Sequence, residues 1–162
     1  MEDVNELAAK ISFVDDLKKQ KPMKGILKYK VFKNGALIET IEEENLIVNG
    51  AREQLARLIA GNFPGRNITK IALGVSDVAP SVNDVTLANA YEKNIDGYSF
   101  PAMGQVQFDW SLTTSEANGK AILEFGLITE DGTLFSRRVR ENGKPINKEN
   151  DISIIGQWII IF

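Results

Sequence analysis

The chain has 162 residues, 43% hydrophobic and 25% charged, values near those of an ordinary single globular domain, and its 19 basic against 22 acidic side chains leave a formal charge of −3. That balance speaks against binding to a phosphate backbone, which needs clustered lysine and arginine, so no nucleic-acid partner is expected. Neither cysteine nor histidine occurs, which excludes disulfides, thiolate metal sites, cysteine nucleophiles and any Ser-His-Asp triad.

The opening MEDVNELAAK is acidic and lacks the basic and apolar regions of a secretory signal. The apolar run from Trp158 to Phe162 falls far short of the ~20 residues that span a bilayer. The expectation is therefore a chain made in the cytoplasm, with no signal peptide and no membrane insertion. Val4, Leu7, Ile11, Val14 and Leu17 recur at helical spacing and predict an amphipathic helix over 4–19. Such a helix either packs on its own domain or self-associates, in which case Leu7, Ile11 and Val14 are interface residues. Pro22 stops it, dividing the chain into an N-terminal helical segment, 1–21, and a single mainly-β domain, 22–162.

Lys18, Lys19, Lys21, Lys24, Lys28, Lys30 and Lys33 crowd the next stretch, where Leu27, Tyr29 and Val31 alternate with lysines. One apolar and one charged strand face follow, with the lysines guarding a sheet edge or binding an anionic ligand. Asn34-Gly35 tolerates the positive φ of a type I′ turn, so 26–41 reads as a hairpin. From 45 to 61 an apolar run gives way to a short helix with Leu55, Leu58 and Ile59 on one face, Arg52 and Arg57 outward, Asn49 as its cap and Gly61 as its end. A strand is predicted over 68–75. The loop 79–84 follows, where Ser81 and Asp84 are spaced like a capping box, so a second short helix is expected near Asn83, with Leu87 and Tyr91 inward.

The clearest alternation is at 104–113, where Val106, Phe108, Trp110 and Leu112 oppose Gln105, Gln107, Asp109 and Ser111, the pattern of an antiparallel sheet with one wet face. Strands at 120–129, 133–140 and 152–162 complete the set, the first two joined by a turn at Asp131-Gly132. Six or seven strands without βαβ alternation predict a mainly β fold, an antiparallel β-sandwich or barrel-like domain with one or two short helices.

Chemistry is sparse. Asp109, Glu116, Glu124, Glu130 and Asp131 have no spacing that forces two carboxylates across a groove, and Asn83-Asp84 and Asn150-Asp151 lack a calcium-loop pattern. The glycines form no phosphate-binding motif, and Asn67-Ile68-Thr69 reads as a chance glycosylation sequon. No catalytic residue, metal or cofactor is expected. Tyr98 and Phe100, with Trp110, could offer an aromatic ligand platform, or they close the end of a sandwich or meet another subunit. Arg137 and Arg138 point to opposite faces of one strand, so the one facing a core needs a partner, an edge or a subunit interface.

Taken together, KGILKYKVFKNGALIE, ENLIVNGAREQLARLIAG, ITKIALGVSDVAPSVNDVTLANAYEKNIDGYSFPAMGQVQFDWSL and EANGKAILEFGLITEDGTLFSRRV resemble a family of small phage and prophage tail or tail-fibre-associated structural proteins. The resemblance covers 24–162 and leaves out the N-terminal segment. LGVSDVAPSVNDVTLANA is also similar to the head of phage tail-collar fibre proteins, apart from Val75 and Val85, where small polar residues are usual. The resemblance implies a virion component without enzymatic activity, and a homo-oligomer, a trimer or larger ring, that docks onto other tail proteins. The alternative is a non-catalytic β module that recognises a host surface glycan.

Overall fold

Asn34 and Gly35 both adopt left-handed backbone, with φ of 49° and 79°, and reverse the chain between β1 (Lys24–Lys33) and β2 (Ala36–Ile47) as the sequence predicts. The computed structural model describes residues 22–162; the helix expected over 4–19, with Leu7, Ile11 and Val14, lies outside the described residues. Leu27, Tyr29 and Val31 are buried on one side of β1. β1 is not the edge that its lysines predicted, since it lies between β2 and β11 (Ile152–Ile161). Its lysines instead meet acidic partners across the strand pair, Lys24 with Glu44 and Lys28 with Glu42.

Helix α1 (Asn49–Ile59) starts one residue earlier than a cap at Asn49 would have it. Val48 holds the cap position in extended backbone, while the Asn49 amide donates to Asn83 Oδ1 at 3.0 Å. Gly61 ends the turn at φ 82°. Ala51 and Gln54 are buried, with Leu55 and Leu58 beside them on the same face. Ile59 is 88% exposed and does not belong to that stripe, because it lies one helical step beyond Leu58.

The remaining strands are β3 (Ile68–Gly74), β4 (Tyr91–Asn94), β5 (Gly97–Ser99), β6 (Gln105–Leu112), β7 (Lys120–Ile122), β8 (Glu124–Thr129), β9 (Leu134–Val139) and β10 (Ile146–Lys148). Nine strands form one antiparallel sheet in the order β4-β3-β8-β9-β2-β1-β11-β6-β5, curled into a half-barrel, while β10 and β7 pair separately. The two edge strands are consecutive in the chain. Between them the Ile95 N–H donates to Thr69 O at 2.9 Å and the Asp96 N–H to Asp109 O at 2.7 Å, so the segment 91–99 ties the margin at β3 to the margin at β6.

Two expected elements differ. No helix forms near Asn83: the Ser81 N–H donates to Asp84 Oδ2 and the Asp84 N–H to Ser81 O, which closes a turn, and the surrounding polar groups are engaged by β8 and β9. The strand expected over 120–129 breaks at Leu123, whose N–H donates to Gly74 O and whose carbonyl accepts from the Arg140 N–H.

Inside the curl, Trp110 and Trp158 are fully buried, and Trp110 packs against the contacting pair Tyr29 and Phe125 at ring distances of 6.4 and 5.8 Å. A Cβ at Gly156 would overlap the Trp110 ring, so the glycine opposite it in β11 makes the indole's place. A second, smaller cluster of Val48, Ala72, Leu87, Ile128 and Leu134 packs separately. Cross-strand partners in β3, β8 and β9 put it on the face away from Phe125 and Leu127. No helix among the described residues is long and apolar enough to cross a membrane.

Candidate functional site

β3 ends at Gly74 and the chain re-enters the sheet only at Tyr91. The loop between is closed at its neck by the Val75 N–H donating to Ala88 O at 3.1 Å, the form of a compact surface loop with adjacent ends. Glu124, the first residue of β8 and 0% exposed, holds both sides of that neck. Its Oε1 accepts the Ser76 N–H at 3.1 Å and the Ala88 N–H at 2.8 Å, and its Oε2 accepts Arg137 Nε at 2.8 Å. Arg137 then reaches into the loop, donating to Asp84 Oδ2 at 2.7 Å and Val78 O at 3.0 Å. A buried charge is costly unless paired and hydrogen-bonded, and here both members of the pair are.

The electrostatics follow from that enclosure. Burial works against the charge on Arg137, but Asp84 and Glu124 outweigh it and hold the guanidinium above its ordinary value. Burial likewise pushes the Asp84 carboxyl up, while the Ser81 N–H and Arg137 together hold it below the usual range. Gly126 sits opposite Arg137 and leaves the sheet low: a Cβ there would lie 2.7 Å from Leu87 Cδ1. Leu87 therefore seats directly on the sheet, and the loop lies over the outer face of β8. At the far side the Asn49 N–H donates to Val82 O at 2.8 Å, fastening the loop to α1. Three apolar side chains of the loop stand in solvent, Val78, Val82 and Val85 at 67%, 43% and 78% exposed, among the exposed polar residues Asp77, Ser81, Asn83 and Thr86.

A second site opens at the end of the half-barrel that α1 partly covers. An apolar cavity of about 780 Å³ runs between Leu55 and Leu58 of α1 and Val106, Phe108, Phe135 and Ile160 of the sheet. At its rim Tyr98 and Phe100 meet edge to face at 5.8 Å, with Met103 and Phe162 nearby. Arg66 stands in the wall, its Nη1 donating to Asp131 Oδ2 at 2.6 Å and to Gln54 Oε1 at 3.0 Å. Asp131 is thus more than a turn residue: Thr129 Oγ1 and Gln54 Nε2 also donate to it, at 2.7 and 2.8 Å, and hold its carboxyl well below the usual range. The hairpin turn, α1 and the 62–67 loop are locked together through this one carboxylate.

The residues singled out in the sequence separate accordingly. Tyr98 and Phe100 are exposed at the rim, whereas Trp110 is sealed in the core and belongs to no surface platform. Arg137 and Arg138 do face opposite sides, as Gly126 and Phe125 opposite them show. Both are satisfied within the chain, Arg138 by Glu43 at 3.0 Å and by Glu141, so neither needs a subunit interface to neutralise it. Among the described residues no group of three or more acidic side chains gathers as a metal site. Sequence reading missed Arg140, which bonds the buried Tyr29 hydroxyl at 2.6 Å and Glu39 at 2.8 Å. It missed Lys148 too, fully buried with its ammonium on Asn118 Oδ1 and two main-chain carbonyls. No family model, curated protein or solved structure matches the chain.

Proposed function

We propose that this chain is a structural subunit of a phage or prophage tail, associated with the fibre or baseplate, that works by self-association and by docking onto other virion proteins. The observation that carries the reading is the loop 75–88, a long loop without regular structure that is nonetheless fastened at Ser76, Val78, Asp84 and Ala88 while it exposes Val78, Val82 and Val85. A pre-ordered loop that presents apolar side chains loses little conformational entropy on docking, which favours a binding role. The same loop lies within LGVSDVAPSVNDVTLANA, the segment similar to tail-collar fibre proteins. The test is to raise an antibody to the chain and probe tail particles purified from the bacterium that encodes it, alongside the solution mass of the full chain by light scattering. The reading expects the chain in the particle at a fixed ratio and a trimer or larger ring in solution; absence from the particle would remove it.

A glycan-binding module is the second reading, favoured by the exposed edge-to-face pair of Tyr98 and Phe100 above an open cavity. It expects binding on a glycan panel that disappears with Tyr98→Ala and Phe100→Ala. A panel without a single binder counts against it.

A further inference from the structure

Two cavities of opposite character adjoin at one end of the curled sheet. The first is the apolar cavity of about 780 Å³, walled by Phe108, Phe135 and Ile160 of the main core and by Leu55 and Leu58 of α1. The second is a polar cleft of about 500 Å³ lined by Thr69, Lys70, Asn94, Gly97 and Glu130. Asn67, Ile68 and Tyr98 belong to both linings, so the two spaces meet along them. The cleft has a local cause in the backbone. Thr69 is the extra residue of a β-bulge against β8, and on its other side the segment 91–99 breaks at Ile95 and Asp96 as it crosses from β3 to β6. Bulges interrupt a ladder in this way and re-aim the side chains beside them.

The linings specify what would fill them. A space of this size bordered by core side chains is larger than close packing leaves by default and lies in the range of small-molecule sites. The apolar cavity's one charged wall residue, Arg66, is paired with Asp131 at 2.6 Å, and the cleft's Lys70 with Glu92 at 3.1 Å, so neither cation is left over for an anionic head group. What the cleft offers instead is hydrogen bonding: the exposed amides of Asn67 and Asn94, the exposed Glu130 carboxylate, and the Thr69 hydroxyl, which is buried with no partner. Amides donate and accept, and a carboxylate accepts, which suits hydroxyl groups. At the junction the Tyr98 ring is 66% exposed and braced edge-on by Phe100, a flat surface for the apolar face of a ring. We propose that the joined cavities bind a single-chain amphiphile with an uncharged, hydroxyl-bearing head, its tail between α1 and the core and its head in the cleft beside Tyr98.

Calorimetric titration of the full chain with octyl glucoside, kept below its micelle-forming concentration, tests this. Methyl glucoside carries the same head without the tail, while octanoate and octyltrimethylammonium carry the tail on charged heads. Octyl glucoside should bind one per chain and at least about tenfold more tightly than any of the three, since the buried methylenes add affinity and a charged head costs more to desolvate. Leu58→Trp, which fills the apolar end, and Asn94→Ala, which removes a head contact, should each weaken it several-fold, and the Met103 methyl resonance of the parent should shift on titration. The absence of saturable binding would overturn the proposal. So would equal affinity for the three octyl compounds, or tighter binding of a charged one, which would mean that the cleft does not select an uncharged head. Methyl glucoside binding as tightly as octyl glucoside would give the cleft to the glycan reading alone and overturn the proposal too. Affinity unchanged in both variants, with the Met103 methyl unmoved, would put the amphiphile elsewhere and overturn it as well. The inference rests on neither reading above, since presence in or absence from a tail particle leaves this titration unchanged.

Discussion

The two halves of the curled sheet are built by different rules. In β11 the burial alternates residue by residue, with Ile152, Ile154, Gly156, Trp158 and Ile160 inward and Ile155 and Gln157 in solvent. In β8 every residue from Glu124 to Thr129 is buried. The backbone geometry is the same, so the difference is what lies outside: β11 faces water, and β8 lies beneath the loop 75–88. A single sheet thus contains a half whose sequence announces itself by period and a half whose burial depends on a distant loop seating correctly. In the second half the outer face is polar at Glu124 and Arg137, which pair with each other and are completed by the loop, through its Ser76 and Ala88 amides, its Val78 carbonyl and the Asp84 carboxylate.

This contrast can be broken most severely at Arg137. Arg137→Met leaves Glu124 buried without its counter-charge and should cost about 3–5 kcal/mol in denaturant unfolding. Adding Glu124→Leu should recover much of that stability, since an apolar pair of similar size often replaces an ion pair at little cost. It should not recover the loop: the Ser76 and Ala88 amides lose their acceptor, and proteolysis within 75–88 should be faster than in the parent.

Two glycines sharpen the comparison at a smaller scale. Gly156→Ala drives a methyl into Trp110 in the bare half, and Gly126→Ala drives one against Leu87 in the covered half. Each should cost about 1–3 kcal/mol by overpacking. Only Gly126→Ala should also speed amide exchange in the loop.

Acid acts at the turn that locks α1. The Asp131 carboxyl is held low in the folded chain by Thr129 and Gln54, so its contribution is complete above the unfolded value of about 3.9 and is lost as pH falls below it. Asp131→Asn should therefore lower stability at neutral pH and flatten the acid limb below about pH 4, read from unfolding midpoints across pH. The smallest effect belongs to the wet face: Ile155→Thr, at a side chain 58% exposed, should stay within about 0.5 kcal/mol of the parent.

The same division explains what was legible in the sequence. The Asn34-Gly35 hairpin and the Trp110 strand were readable because turn chemistry and two-residue alternation are local signals, and each maps onto a strand pair with one wet face. The break at Leu123 was not, because it arises where Gly74 and Arg140 take the residue's two backbone groups from far along the chain. Nor was the fate of Asp84: its spacing from Ser81 is that of a helix start, and the contact does form, but Arg137 claims the same carboxylate and holds the segment as a loop. Tyr98 and Phe100 could be picked out as exposed aromatics, while Trp110 could not be told from them by residue type, since only the curl of the sheet decides which aromatic is sealed. Adjacent arginines on one strand signalled that something must compensate a charge; the partners, Glu124, Asp84 and Glu43, come from three separate parts of the chain.

The most direct test of this account is residue-resolved amide hydrogen exchange of the native chain, comparing Ser76 and Ala88 with the core of β8 and with the Asn34-Gly35 turn. If Glu124 pins the loop as described, both amides should exchange nearly as slowly as Phe125 and Leu127, and Arg137→Met should release them. Exchange at the rate of the exposed hairpin turn would mean that the loop is not held in place, and the pre-ordered docking surface would fall with it.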